Sequence, residues 1–241
     1  MADRFSTATL RILPPAMLVS LCALFACSSA PRGLPTPSAI ESRGDAFLES
    51  GDYTEASAVF SQATQMRPLS FLARIGLARA YTGLRRFEAF DPVMQQALSL
   101  NPRTPEADDL LARTFLDASI HAPRNLRMQY AATALQFFSR ARAIAPELPH
   151  LSYHAAVAQK QLGNPVAALE ILSQAEVESP GLIDVQECAS ACFRMLGAPK
   201  NVIELLTPLE AEGRLTPTLK KDLLWARGAI APESGSEVNA P

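Results

Sequence analysis

The sequence has few cysteines, little excess of either charge and no long apolar run. Four cysteines in 241 residues are too few to hold a chain of this length together by disulfides. The 22 basic residues face 24 acidic ones, and the resulting net charge of −2 argues against a nucleic-acid-binding protein. The apolar run over residues 12–26 is shorter than the roughly 20 residues that a membrane-spanning helix needs.

The common motifs of enzymes and metal sites are also absent. The chain has no glycine-rich phosphate loop, no G-x-S-x-G and no H-E-x-x-H. His150 and His154 have a spacing that can bind a metal on a helix, but no carboxylate or cysteine beside them completes a site. Cys188 and Cys192 stand four residues apart on a predicted helix, a spacing that would strain a disulfide. We therefore expect buried thiols, and a disulfide between them is the alternative. We therefore expect no catalytic residues, no metal site and no cofactor.

The N-terminal residues resemble the signal sequence of a bacterial lipoprotein. Basic residues precede the apolar run, which ends in a stretch similar to a lipobox, Leu24-Phe25-Ala26-Cys27. The resemblance implies a cleaved signal peptide over residues 1–26 and a lipidated Cys27. Because Ser28 follows the cysteine, it also implies an outer-membrane lipoprotein that faces the periplasm. An ordinary cleaved signal or an uncleaved membrane tether is the alternative.

Two polar segments flank the central part of the chain. Residues 27–38 are rich in serine and proline, which predicts a flexible tether behind the lipid anchor. Residues 229–241 are polar and contain proline and glycine, which predicts a disordered tail. The folded part of the protein is therefore expected within residues 39–228.

Residues 39–228 contain an internal repeat. Prolines recur at spacings of 34, 44 and 34 residues, at Pro68, Pro102, Pro146 and Pro180. Ahead of each proline, apolar residues stand at i, i+3, i+4 and i+7, which places them on one side of an α-helix. The pattern occurs a fifth time without a proline. The five apolar stripes are Ala56/Val59/Phe60/Ala63, Phe90/Val93/Met94/Ala97, Ala134/Phe137/Phe138/Ala141, Ala168/Ile171/Leu172/Ala175 and Val202/Leu205/Leu206/Leu209.

These positions resemble the tetratricopeptide repeat (TPR), a pair of packed helices. The first repeat fills its signature with Gly44, Phe47, Ala56, Phe60, Ala63 and Pro68. The resemblance implies an all-α, right-handed solenoid of about five helix-turn-helix repeats and a C-terminal capping helix over residues 217–227. In the capping helix we expect Leu219, Leu223 and Leu224 to face inward and Asp222 outward. Repeat three has ten extra residues, which predicts an insertion near 117–126 that lengthens its central turn.

The resemblance also implies a site for protein partners. The first helices of TPR repeats line a concave face that binds peptides or extended segments. Carried over position by position, this partner-binding groove consists of Glu41, Asp45, Leu72, Ile75, Arg79, Asp109, Arg113, Tyr153, Val157, Lys160, Glu187, Arg194 and Trp225. Tyr153 and Trp225 are the expected anchors, because aromatic side chains contribute much of the energy of interfaces. The alternative for each charged residue is a solvated helix surface.

The predicted fold and the predicted location at the outer membrane together indicate a lipid-anchored periplasmic scaffold, not an enzyme. In size and layout the chain resembles the pilotins of type IV pilus systems, which help a secretin to reach the outer membrane and multimerise. The alternative is a general envelope adaptor for peptidoglycan enzymes, polysaccharide export or secretion. The expected partners are a secretin or another envelope-complex subunit, and the membrane through the lipid anchor, with no nucleic acid.

Overall fold

The computed structural model describes residues 36–148 and 150–230, and within these ranges every regular element is an α-helix. The predicted signal peptide over residues 1–26, Cys27 with most of the predicted tether, and residues 231–241 of the predicted tail lie outside the described residues. The helices are α1 Ala39–Ser50, α2 Tyr53–Met66, α3 Phe71–Gly83, α4 Phe87–Ser99, α5 Pro105–His121, α6 Arg124–Ile144, α7 Leu151–Gln161, α8 Pro165–Glu178, α9 Ile183–Met195, α10 Pro199–Ala211 and α11 Pro217–Ile230. In the described part of the chain, no helix combines the length and apolar character that crossing a membrane requires.

The helices pack as five consecutive pairs followed by a single helix. Consecutive helices pack together along the chain except α4 and α5, which make little contact, and α11 packs against both α10 and α9. The odd-numbered helices also contact one another from repeat to repeat, whereas the even-numbered helices do not pack together to that extent. The odd-numbered helices therefore form the inner face of a solenoid. This arrangement confirms the predicted all-α solenoid of five repeats with a capping helix.

Local sequence signals set the ends of these helices. The side chains of Ser70 and Thr104 each accept a hydrogen bond from the backbone N–H three residues further on, at 3.2 and 3.3 Å, and so cap α3 and α5. Proline begins α5, α8 and α10, where its missing N–H has no helical partner in any case. Gly51 and Gly163, with φ of 80° and 82°, adopt the left-handed conformation that ends α1 and turns the chain after α7.

The predicted apolar stripes form the core. In all five stripes the residues at i, i+4 and i+7 are buried, and those of repeats two to four join one continuous cluster. Its centre holds Phe90, Phe115 and Tyr130, whose ring centroids lie 5.2–6.2 Å apart. Small residues allow the close packing of the first repeat. A Cβ atom on Gly44 would lie 2.6 Å from the ring of Phe60.

Repeat three differs from the prediction. The turn between its helices is only Ala122 and Pro123, whereas α5 and α6 are 17 and 21 residues long. The expected long turn near residues 117–126 is therefore wrong, because the extra residues lengthen both helices. The added turns of α6 are held by Tyr130, which is buried and donates a hydrogen bond to Asp91 at 2.8 Å. Leu126 packs on the main core one turn earlier.

The capping helix α11 presents an unexpected residue to the core. Its inward stripe is Leu219, Asp222, Leu223 and Ala226, all buried, and Leu224 is 70% exposed. The expected orientations of Asp222 and Leu224 are therefore wrong. The helical repeat places residue 222 beside 219 and 226, and the sequence prediction passed over it because a carboxylate is not apolar. Helix α11 also continues to Ile230, so residues 229 and 230 are helical.

Candidate protein-binding face

The inner face contains some of the predicted groove residues and buries others. Glu41, Ile75 and Val157 are only 1%, 2% and 6% exposed, and Leu72 packs against the main core. The prediction that the first three contact a partner is therefore wrong. Helix-position patterns identify the face of a helix, but the neighbouring repeat covers these three side chains.

Glu41 serves the fold instead. Its carboxylate accepts hydrogen bonds from the backbone and side chain of Ser38 at 2.6 and 2.7 Å and from the hydroxyl of Ser70, and it lies 3.2 Å from Arg67 Nη1. Burial raises the pKa of Glu41, but these hydrogen bonds and the arginine outweigh that effect and lower it below its ordinary value. The carboxylate thus joins the start of α1 to the turn before α3.

Glu187 repeats this arrangement in the last repeat. Its carboxylate accepts a hydrogen bond from Thr216 at 2.5 Å, and the Thr216 hydroxyl also accepts from Leu219 N at 3.2 Å, capping α11. Ser70 relates to Glu41 in the same way, across the same 29-residue separation. This helix position therefore joins neighbouring repeats, and Glu187 is only partly available to a partner.

A first pocket on the inner face crosses repeats one to three. This mixed-charge pocket has a volume of about 500 Å³ and is lined by Leu48, Tyr53, Arg79, Leu110, Arg113, Thr114 and Asp117. Arg79 lies 3.9 Å from Asp45, and Arg113 lies 3.0 Å from Asp109. Four predicted groove residues thus lie in or beside this pocket.

The carboxylates of this region are partly removed from water. Burial raises the pKa of Asp45 and of Asp109, and the nearby Arg79 and Arg113 oppose the rise. Burial raises the pKa of Asp117 in the same way, against His121 and Arg79. One oxygen of Asp109, Oδ1, is buried without a hydrogen-bond donor among the described residues. Such a buried, unsatisfied oxygen is costly.

A second pocket lies in the C-terminal half. This basic pocket has a volume of about 660 Å³ and is lined by Arg124, Arg127, Met128, Lys160, Gln161, Leu162, Gly163, Ala191, Arg194, Met195 and Trp225. Four of its side chains are cationic and none is a carboxylate. It includes three predicted groove residues, Lys160, Arg194 and Trp225.

Arg194 and Trp225 are held in place by the buried Asp222. Arg194 Nη1 lies 2.6 Å from Asp222 Oδ1, and Ser190 donates a hydrogen bond to the other oxygen at 2.8 Å. The guanidinium carbon of Arg194 stands 5.5 Å from the centroid of the Trp225 ring. The stacked pair forms one wall of the basic pocket, so Trp225 both closes the array and faces the inner surface.

Tyr153 and His154 lie together on α7, and the exposed His150 stands at the start of the same helix. The ring of His154 stacks on Phe138 with centroids 5.7 Å apart, and burial, Arg113 and His150 lower the pKa of His154 to about 4. Burial and the nearby Asp184 help to raise the pKa of Tyr153 to about 12. His154 is therefore neutral at physiological pH. Within residues 36–148 and 150–230, no three His, Cys, Asp or Glu side chains are placed to hold a metal.

Cys188 and Cys192 are free and buried on α9. A hydrogen bond between the two thiols lowers the pKa of Cys188 and raises that of Cys192. Both side chains pack in or beside the main core, as their repeat positions predict.

Sequence reasoning missed part of both pockets. Arg124 was expected in the turn, although the structure places it on α6, and neither Asp117 nor Arg127 was among the predicted groove residues. The signal that reveals them is the spacing of Leu126, Tyr130 and Ala134, which continues the apolar stripe of α6 toward its N-terminus.

Comparison with known proteins defines the class. Residues 47–114 match the tetratricopeptide repeat family. The match is confined to this segment, and the remaining described helices pack in the same paired arrangement. TPR domains mediate the binding of protein partners. No curated protein matches the sequence.

Several solved TPR structures resemble the chain. A thermophilic TPR protein from Thermus thermophilus has a TM-score of 0.59 at 17% identity, covering 78% of this chain and 97% of its own. MamA of AMB-1 has a TM-score of 0.52 at 16% identity, with 79% and 99% covered. A second MamA structure has a TM-score of 0.51 at 16% identity, with 74% and 96% covered. At these identities the likeness establishes the fold.

Proposed function

We propose that the chain is a lipid-anchored scaffold of the bacterial envelope, which holds protein partners on its inner face during assembly of an envelope machine. The observation that carries this proposal is the inner face itself, where two pockets about 500 and 660 Å³ in volume present charged side chains beside exposed apolar ones. Such surfaces suit extended protein segments, which use charge for specificity and apolar side chains for affinity. The chain is proposed to act by binding, without catalysis.

The anchor belongs to the proposal through Cys27, which follows the short apolar run. Acylation at this cysteine would tie the protein to the outer membrane, facing the periplasm, and residues 27–38 would separate the solenoid from the lipid surface. Two or more acyl chains hold a protein stably at a membrane.

Labelling with radioactive palmitate tests the anchor. Wild-type protein and Cys22→Ser should incorporate label, Cys27→Ser should not, and labelled protein should fractionate with the outer membrane. Cys22 is a matched control because it is a cysteine within the same apolar run. Label that persists in Cys27→Ser, or that is absent from the wild type, contradicts the lipid anchor.

Co-purification tests the scaffold. The variant Arg79→Glu/Arg127→Glu changes one exposed arginine in each pocket, and it should lose the partners that wild-type protein recovers from detergent-solubilised envelopes. Lys200→Glu, an exposed change on α10, should keep them. Equal recovery by all three proteins would exclude the inner face as the binding surface.

The secretin of a type IV pilus is the partner that we propose, by the likeness of size and layout to pilotins. Deletion of the gene should then reduce secretin multimers and pili, and secretin subunits should co-purify with the wild type. Normal multimers, together with recovery of peptidoglycan, export or secretion enzymes, would favour the general envelope adaptor.

A further inference from the structure

We infer that the basic pocket binds an acidic segment of a partner protein in which carboxylates flank an apolar side chain. This inference rests on the proposed scaffold function and specifies the chemistry of one partner. It concerns a surface that a regular 34-residue repeat does not build, because the pocket depends on the lengthened helices of repeat three.

The first turns of α6 form one side of the pocket. Helix α6 has 21 residues and the adjacent α7 has 11, so α6 is longer by about 15 Å at 1.5 Å per residue. The first two turns of α6 carry Arg124, Arg127 and Met128 into the pocket, beside the C-terminal end of α7. Tyr130 and Leu126 fix these turns against the core, so the two arginines stand on a rigid element.

The opposite side comes from the ends of three inner helices. Lys160 ends α7, Arg194 and Met195 end α9, and Trp225 lies on α11. Arg194 is already paired with Asp222 and stacked on Trp225, which fixes its position. Within the described chain, Arg124, Arg127 and Lys160 form no salt bridge. Three cations with no internal counter-charge thus surround a pocket that lacks carboxylates.

The apolar part of the lining specifies the other half of the ligand. Met128 and Met195 are 58% and 51% exposed, and the partly buried Trp225 lies beside them. Methionine side chains adapt to irregular apolar partners, and tryptophan provides a large contact surface. A partner residue with an aliphatic or aromatic side chain would cover them while flanking carboxylates meet the cations.

A peptide fits these observations better than a longer polyanion. The volume of about 660 Å³ suits a few side chains. A nucleic acid or an anionic membrane needs an extended basic surface, whereas here the mixed-charge pocket lies further along the same face with Asp45, Asp109 and Asp117. These carboxylates would repel a polyanion that continued along the groove.

Fluorescence anisotropy with short labelled peptides tests the inference on the mature protein. The probe is a Glu/Asp-rich peptide with a central Phe-Leu, and the reference peptide replaces each acidic residue with lysine. We expect the acidic probe to bind, and Arg127→Glu/Lys160→Glu to weaken it at least about tenfold, since both contacts change from attraction to repulsion. Lys200→Glu/Lys220→Glu makes the same change of charge at two exposed lysines outside both pockets and should leave its affinity unchanged, and circular dichroism confirms that each variant is folded.

Several outcomes overturn the inference and leave the scaffold function intact. One is equal binding of the acidic and the lysine peptide. Another is binding of the acidic peptide that Arg79→Glu/Arg113→Glu weakens and Arg127→Glu/Lys160→Glu does not. Preferential binding of phosphatidylglycerol vesicles or single-stranded DNA, lost in Arg127→Glu/Lys160→Glu, identifies a polyanion site. If the peptide binds only after deletion of residues 231–241, which carry Glu233 and Glu237, the natural occupant of the pocket is this C-terminal segment of the chain. The scaffold function fails separately, if envelope partners are recovered equally with both pockets altered.

Discussion

The ring of Phe60 occupies the space that a side chain on Gly76 would fill. A Cβ atom built on Gly76 would lie 2.2 Å from Cε1 of that ring, far inside van der Waals contact. Phe60 belongs to α2 and Gly76 to α3, so this contact brings the first repeat against the second. The absence of a side chain at residue 76 therefore sets the distance between the two repeats.

Substitution of this glycine tests the packing. We expect Gly76→Ala to lower the free energy of unfolding by about 1–3 kcal/mol, because the added methyl group must displace a buried aromatic ring. Urea denaturation followed by circular dichroism measures the change. Gly228→Ala is the matched control, since nothing lies within 4 Å of its added Cβ on α11, and it should be neutral or stabilising by up to about 1 kcal/mol. Equal effects of the two substitutions would contradict the packing role of Gly76.

Glu41 provides a second prediction. Glu41→Gln should destabilise the protein by about 2–4 kcal/mol, because the amide cannot accept all the hydrogen bonds that converge on the buried carboxylate. Since the folded-state pKa of Glu41 is lowered, its stabilisation is present above the unfolded pKa and lost as the pH falls through the folded value. Chemical denaturation at several pH values should show a smaller acid dependence in the variant. Glu49→Gln, an exposed change on the same helix, should have little effect at any pH.

The lowered pKa of His154 predicts that the stability of the protein also depends on pH under mildly acidic conditions. Its pKa is about 4 in the folded protein against 6.5 for the ordinary side chain, so between these values the unfolded chain binds the proton and the folded one does not. The free energy of unfolding should therefore fall by about 2–3 kcal/mol as the pH is lowered from 7 to 4. Comparison of the wild type with His154→Gln isolates this contribution, and parallel stability curves for the two proteins would refute it.

The buried apolar residues of the described chain form three separate clusters. This division predicts that backbone amides are protected unequally from hydrogen exchange along the chain. The apolar residues of α10 and α11 form a cluster of their own, from Val202 to Ala226, separate from the main core around α5 and α6. Solenoids unfold from their ends because each repeat contacts only its neighbours. Amide hydrogen exchange should be faster in α11 than in α5. Asp222→Asn should accelerate it in α11 and in the part of α9 that holds Ser190 and Arg194, but not in α5. Uniform acceleration along the whole chain would indicate a single cooperative unit.

The fold could be predicted from the sequence because its main signal is local. The apolar spacing of each stripe reflects the geometry of one helix, and the 34-residue period reflects the stacking of identical units. The length of the helices in repeat three was harder to predict, since extra residues can extend a turn or the helices beside it. The longer helix α6 is stabilised by the packing of Tyr130 against Phe90, a residue 40 positions earlier in the chain.

The candidate site was less predictable because burial depends on the neighbouring repeat. Glu41 occupies a groove position on its own helix, yet Ser70 and Arg67 of the following turn enclose it. For Asp222 the error is the reverse. Its charge predicted an exposed side chain, but contacts with Ser190 and Arg194 keep it buried. No pattern within one helix contains this information.

The lengthened third repeat adds a cationic pocket to an inner face whose other pocket carries both charges, and this gives the inner face a polarity. In the proposed complex, a partner segment that spans both regions would place its basic end near Asp45 and Asp109 and its acidic end near Arg127 and Lys160. The same residues in reversed order would bring a basic end to the cationic pocket. The proposed scaffold would thereby distinguish a motif from its retro-sequence.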